Sequence, residues 1–363
     1  VGNSAVSQIR VLNLIKCVIS EELSKQTVRY YTDRKTAVNA CFLDLSRAFD
    51  LVSYDLLWDK LINEKKVENE AISLLKFWYE NQINNVRWAG TLSTEYRLEC
   101  GVRQGGITSP RLFNLYINRL IVELSNTGVG CHVDGVCMNN ISYADDMVLL
   151  SPSISALRRL LKMCEDYAVT HGLMYNVAKS ELLVFKDGAK SDLNVPCISL
   201  ARTPLKRVSK FKYLGHWVTE DLCDDLDIER ERRALSVRSN MLARRFARCT
   251  HEIKMTLFRA YCQTFYTCSL WVRYTQRAYS ALRVQYNNAF RMLVGLPRFC
   301  SASGMFADAR VNDFHAIIRK RSASLRQRAC ASTHSMLKAL SGRWDCPMLG
   351  RWVRLHSQFS YSE

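Results

Sequence analysis

Two adjacent carboxylates interrupt an otherwise apolar, β-like run, Ile-Ser-Tyr-Ala-Asp-Asp-Met-Val-Leu-Leu at 141–150. Neighbouring side chains on a strand point to opposite faces, so Asp145 and Asp146 cannot both enter one core. Burying either ion unpaired is expensive. A tight turn between two short strands presents both acids at its tip, where carboxylate oxygens can bind a hard divalent cation. The rival is a plain polar hairpin turn, for which Asn-Gly or Asp-Gly is the expected pair. A third acid, Asp44, sits inside Cys-Phe-Leu-Asp-Leu-Ser-Arg-Ala-Phe-Asp at 41–50. The three together could hold two cations about 3.5–4 Å apart, the arrangement used for in-line phosphoryl transfer; a buried Asp44 capping a turn is the plain alternative. Gly101-Val-Arg-Gln-Gly-Gly-Ile-Thr-Ser-Pro110 then leads into a helical pattern. Its glycines allow close backbone approach to a nucleotide or template strand. It lacks the spacing of the P-loop and of the dinucleotide fingerprint.

The elements that must position these residues are readable from periodicity. Strands are expected at 40–45, 86–89, 141–150 and 180–185, and helices at 56–63, 71–82, 112–124 and 154–171. Pro110 and Pro152 fall where helices begin. Beyond residue 225 the pattern is almost all helical, over 226–248 and 253–293, until Gly295 and Pro297 break it. The fold class is α+β, an antiparallel sheet with packed helices running into a basic all-helical region.

Charge divides the chain in the same way. Of the net +17 over 363 residues, residues 1–225 carry almost none, with 27 Lys and Arg against 26 Asp and Glu. Residues 226–363 hold 24 against 8, and 21 of those cations are Arg. Arg presents a planar fork to phosphate oxygens, so a nucleic-acid backbone is the expected partner; a merely basic surface is the alternative. Ordinary hydrophobic content, at 48%, excludes a disordered or collagen-like chain. The longest nearly apolar run, 260–272, is too short to span a bilayer, so no membrane partner is expected. Fourteen cysteines at irregular spacing, without a C-x-x-C, are read as reduced thiols of an intracellular protein.

Taken in order, these segments resemble the reverse transcriptases of non-LTR (LINE-like) retrotransposons. FLDLSRAFD at 42–50 is similar to the family's motif A, GVRQGGITSP at 101–110 to motif B, and YADD at 143–146 to motif C. GLMYNVAKS at 172–180 is similar to motif D and FKYLG at 211–215 to the primer-grip motif E. The resemblance implies an RNA-directed DNA polymerase with a right-hand polymerase palm. It assigns two Mg²⁺ ions, or Mn²⁺ in their place, to Asp44, Asp145 and Asp146. It puts Leu45, Phe49, Gln104 and Gly105 against the nucleotide, with Phe49 crowding the ribose 2′-OH. Lys179 would protonate or stabilise the leaving pyrophosphate; a solvated helix-end cation is its alternative. Tyr213, Leu214 and Gly215 would grip the primer, and Arg230, Arg233 and Arg244 would follow the nucleic-acid backbone.

The implied layout is a residual fingers segment at 1–37, palm at 38–215, helical thumb at 216–300 and a basic C-terminal helical region at 301–363. The implied partners are an RNA template, a DNA primer, dNTPs and target chromosomal DNA, in the nucleus or cytoplasm. Only 43 residues precede Asp44, where family members carry long fingers, and the chain starts at Val1. No endonuclease domain precedes the palm and no zinc knuckle follows it, so a truncated retrotransposon fragment is expected. A non-catalytic RNA- or DNA-binding remnant and a group II intron-type maturase are the competing readings.

Overall fold

The computed structural model describes residues 18–63, 67–186, 195–343 and 345–357. The first 17 residues of the expected fingers segment lie outside them. Helix α1 (18–32) leads to β1 (Val38–Asp44), then α2 (Tyr54–Asn63), α3 (Asn69–Glu80) and the small hairpin β2 (Arg87–Trp88) and β3 (Thr91–Leu92). Helix α4 (Ser109–Asn126) follows, then β4 (His132–Val133), β5 (Val136–Cys137), β6 (Asn140–Tyr143), β7 (Asp146–Ser151) and α5 (Ile154–Thr170). Strand β8 (Glu181–Phe185), the short pair β9 (Ser199–Leu200) and β10 (Thr203–Pro204), β11 (Lys206–Val208), β12 (Lys210–Tyr213) and β13 (His216–Thr219) complete the β-containing part. Seven α-helices make up the rest among the described residues: α6 (Asp225–Arg245), α7 (His251–Cys262), α8 (Gln276–Val294), α9 (Ala302–Asp308), α10 (Phe314–Ala331), α11 (Ser335–Ser341) and α12 (Pro347–Ser357).

The central sheet runs β11-β8-β1-β7-β6. Its pairings are antiparallel except β11 on β8, which is parallel. Both faces are buried, and the period of two shows how. Cys41 and Leu43 of β1, Met147 and Leu149 of β7, and Leu182 and Val184 of β8 pack under α2, α4 and α5. The alternate residues Ala40, Phe42, Val148, Leu150, Leu183 and Phe185 enter a second core that α1, the β12–β13 hairpin and the ends of α10 and α11 share. Each aliphatic side chain so buried contributes about 1.5–3 kcal/mol, which explains why these strands read as continuous apolar runs. A third core, built around Tyr286, Phe290 and Phe314, joins α6, α7, α8 and α10.

One expected element is divided. The helix expected over 253–293 ends at Cys262, passes through a 3₁₀ turn at Cys268–Leu270, and resumes at Gln276. The intervening segment turns inward to hydrogen-bond Asp224 and Asp227. Thr267 Oγ1 and Trp271 Nε1 donate to Asp227 Oδ2 at 2.5 and 2.8 Å, and the Val272 and Arg273 N–H groups donate to Asp224. Those buried charge-assisted bonds outweigh a helix propensity worth a few tenths of a kcal/mol per residue.

Candidate active site

Strand β1 ends at Asp44, directly opposite Asp146 at the start of β7. Both fall in register with Phe42 and Val148, on the sheet face away from α2, α4 and α5. The hairpin joining β6 to β7 pairs Tyr143 with Asp146, leaving Ala144 and Asp145 as its two-residue turn. Ala144 takes φ +53° there, a left-handed conformation that costs a non-glycine residue about 1–2 kcal/mol. A polar turn selected for hairpin stability would carry Asn-Gly; this one presents carboxylates at some cost in strain.

The segment after α5 is zipped against the end of β1. Ser46 N–H donates to Met174 O and Asn176 N–H to Asp44 O, both at 2.8 Å, while Asp44 N–H donates to Ser180 Oγ at 3.2 Å. That pairing brings exposed Lys179 to 3.8 Å from Asp44 Oδ2. On the other flank, the glycine-rich loop is held to motif A by Gly101 N–H on Val52 O and Val102 N–H on Phe49 O, at 2.8 and 2.7 Å. A Cβ on Gly101 would meet Asp50 O at 2.9 Å, and its φ is +94°, so only glycine fits. Gln104 Nε2 reaches Asp50 Oδ1 at 3.4 Å. Phe49 stacks on Phe113 of α4 with ring centroids 4.9 Å apart, which fixes its ring.

These segments enclose an open cleft of about 430 Å³ lined by Asp44, Leu45, Phe49, Gln104, Asp145 and Lys179. Asp146 and Gly105 are not among the lining residues, Asp146 lying beside the cleft and Gly105 on the exposed loop. The cleft also draws in Ser46, Arg47, Asp50 and Asn176, which motif reading passed over although each sits inside a motif-bearing segment.

Burial raises the Asp146 carboxyl to about 6, helped by the neighbouring charges of Asp145 and Asp44. Burial also raises Asp145, with Asp44 adding to the shift and Lys179 opposing it. Among the described residues no three His, Cys, Asp or Glu side chains converge as a ready-made metal cage. The donor chemistry nevertheless fits a hard divalent cation. Three oxygen-bearing acids crowd one end of the sheet, and the Asp145 and Asp44 charges that add to burial in raising Asp146 are what a cation relieves.

The β12–β13 hairpin turns at Leu214 and Gly215, both with positive φ. It is fastened to β1 by Phe42, which stacks on Phe211 at 4.2 Å and packs against Tyr213 at 5.3 Å. Just behind the turn, fully buried His216 places Nδ1 3.0 Å from Asp227 Oδ2 and Nε2 3.2 Å from Lys25 Nζ. Lys25 also pairs with Asp224. Burial alone would raise both aspartates, but the charges and hydrogen bonds of Lys25 and His216 at Asp224, and of His216 and Arg230 at Asp227, hold them far below the usual carboxylate range. This node was not foreseen from sequence.

Arg230 belongs to it. Its Nε donates to Asp227 at 2.8 Å and its Nη1 lies 3.3 Å from Glu231, so its charge is spent internally rather than on an outer nucleic-acid face. Arg233 is exposed but paired with Glu229 at 2.8 Å. Arg244 is exposed at the end of α6 beside exposed Arg245 and Arg248, with no carboxylate partner among the described residues. None of the described helices is long and apolar enough to cross a membrane.

Residues 6–218 match the family described as reverse transcriptase (RNA-dependent DNA polymerase). The chain is 30% identical over 179 residues to the Pol polyprotein of the type-2 retrotransposable element R2DM of Drosophila melanogaster, covering 48% of this chain and 17% of that protein. It is 25% identical over 189 residues to the RNA-directed DNA polymerase of the mobile element jockey of Drosophila funebris, covering 50% and 20%. To the probable RNA-directed DNA polymerase of the Drosophila melanogaster X-element it is 21% identical over 318 residues, covering 85% and 34%. These matches thus span about a sixth to a third of the relatives' own length. A solved telomerase from Candida albicans aligns with 93% of this chain and 52% of its own at TM-score 0.40 and 11% identity. With segments from 42–50, 101–110, 143–146 and 172–180 meeting in one cleft and more than half its length matched, the chain belongs to the reverse transcriptase (RNA-dependent DNA polymerase) family.

Proposed function

We propose that this chain extends a DNA primer on an RNA template. The primer 3′-oxygen attacks the α-phosphorus of a dNTP, the new P–O bond forms as the bond to pyrophosphate breaks, and the hydroxyl proton leaves to solvent. The observation that supports this most is the meeting of Asp44, Asp145, Phe49, Gln104 and Lys179 in one open cleft.

Asp44, Asp145 and Asp146 would hold two Mg²⁺ ions, or Mn²⁺ in their place; when bound, the ions lower the pKa of the attacking hydroxyl and neutralise the triphosphate. Asp44 and Asp146 offer oxygens from one sheet face, and Asp145 offers them from the turn. Phe49, immobilised on Phe113, bars a 2′-hydroxyl sterically. Leu45, Gln104 and Gly105 lie along the nucleotide. Lys179 is placed to stabilise or protonate the departing pyrophosphate. Tyr213, Leu214 and Gly215 steer the primer end, and Arg244 with Arg233 faces the duplex backbone.

In this reading residues 1–37 are a fingers remnant, 38–215 the palm, 216–300 the thumb and 301–363 a basic helical extension. Chromosomal DNA is the insertion target, and the site of action is the nucleus or cytoplasm. The test is Mg²⁺-dependent dNTP incorporation on a primed RNA template, beside Asp145→Asn and Asp146→Asn. We expect extension by the parent and a loss on the order of 10³-fold in each variant. Equal activity in parent and variants, or none in the parent, overturns the proposal.

A further inference from the structure

A second cavity, of about 310 Å³, lies within the helical part and shares no lining residue with the catalytic cleft. Its wall carries Arg319 and His315 from α10 and Arg351 and Arg354 from α12, with no carboxylate among the described lining residues. Arg351 is only 4% exposed. Its Nη1 donates to Ser269 O at 2.6 Å and its Nη2 to Cys268 O at 2.5 Å, which clamps the guanidinium in one orientation. Its Nε has no hydrogen-bond partner among the described residues. Among the described residues no carboxylate forms an ion pair with it. Asp224 and Glu22 attract it only from a distance, and burial outweighs them; an anion entering the cavity would offset that cost.

The lining also includes two aromatic rings. Tyr274 and Tyr279 stack with centroids 5.0 Å apart and planes 15° from parallel. A planar tyrosine pair beside three guanidinium groups matches a ligand that is flat at one end and anionic at the other. The size is that of a small-molecule pocket at the lower end of the usual range, roughly 300 Å³. Arginine forks suit phosphate oxygens, and aromatic faces suit bases without regard to their sequence.

We propose that this cavity binds one phosphate-bearing nucleotide, with its phosphate on Arg319, Arg351 and Arg354 and its base against Tyr274. The nucleotide is either free or one residue of a bound strand. The site is separate from the catalytic cleft and stands whether or not the chain polymerises.

The test measures binding of AMP and of a fluorescein-labelled twelve-nucleotide RNA to the full chain, its Arg319→Gln/Arg354→Gln double variant, and Tyr274→Ala. Thermal melts establish that each variant is folded. Loss of AMP affinity by about tenfold or more in both variants, with RNA binding unchanged, assigns a free-nucleotide site. A comparable loss for RNA, with the slope of log K against log salt falling by about 1 in the arginine variant, assigns a strand contact. In that case a 4-thiouridine-substituted RNA should cross-link to the peptide containing Tyr274. Parent-like binding of both probes in folded variants overturns the proposal.

Discussion

Ala144 turns the YADD hairpin with φ +53°, and two opposing magnitudes decide what glycine would do there. Relief of the left-handed strain is worth about 1–2 kcal/mol. The added freedom of an unfolded glycine costs roughly 0.5–1 kcal/mol. Ala144→Gly should therefore stabilise the fold slightly, by about 0.5–1 kcal/mol in urea denaturation. Phe49 supplies a second test at the same scale. Phe49→Val keeps an apolar side chain but withdraws the ring stacked on Phe113. Discrimination against ribonucleotides, read as the ratio of kcat/KM for dNTP and rNTP, should fall on the order of 10²-fold. Asp146 gives a pH dependence with a definite sign. Its carboxyl is raised to about 6, so the fold holds a disfavoured charge above that pH and is relieved of it as pH falls from 6 toward 4. In chelator, Asp146→Asn should therefore raise Tm relative to parent more at pH 7.5 than at pH 5. The difference between variant and parent matters, because burial lowers His171 and His315 and they titrate in the opposite sense.

At the scale of elements, the decisive feature is the buried node behind the β12–β13 hairpin. Asp227 of α6 accepts from Trp217 N–H in β13, from Thr267 and Trp271 in the loop, and from Arg230 one turn along its own helix. His216 adds a contact from the hairpin itself. One carboxylate thus ties the hairpin, α6 and the segment after α7 together. Asp227→Ala should cost about 3–5 kcal/mol, because it removes the buried carboxylate that accepts from Trp217 N–H, Thr267, Trp271 and Arg230 and leaves those donors without it. The same depressed carboxyls make the sign of acid sensitivity explicit. Stability from Asp224 and Asp227 is complete above the ordinary carboxylate range and is lost as pH falls below about 4. Circular dichroism melts from pH 6 to pH 2 would register it.

For the molecule as a whole, the C-terminal helices are not an appendage. Leu325, Leu337, Leu340 and Cys346 pack in the same core as Val28 of α1 and Val148 of β7. Arg343 bridges Asp134, in the β4–β5 turn, to Asp345. Deleting residues 333–363 should destabilise the sheet-containing part by about 3–6 kcal/mol, the value of two or so buried aliphatic side chains. A drop in the chemical denaturation midpoint would show it; an unchanged midpoint would mean the helices fold independently.

Local chemistry made much of this protein legible. Strands flanked by Asp44 and Asp146, the amphipathic helices and the glycine-rich loop each follow from near-neighbour sequence, because period, turn geometry and close backbone approach act over a few residues. So does the excess of arginine after residue 225. The node was not legible in that way. Helix α1 reads as Ser-Glu-Glu-Leu-Ser-Lys-Gln-Thr-Val-Arg at 20–29, a polar and apparently surface segment, yet Glu21, Lys25 and Arg29 are all buried. Lys25 meets its counter-charge Asp224 about 200 residues later, and Arg351 finds carbonyls 82 and 83 residues before it. Such pairings have no period and no local propensity. They exist only because the sheet, the divided helix and the C-terminal helices close on one another, so that burial makes each charge seek the one partner left within reach.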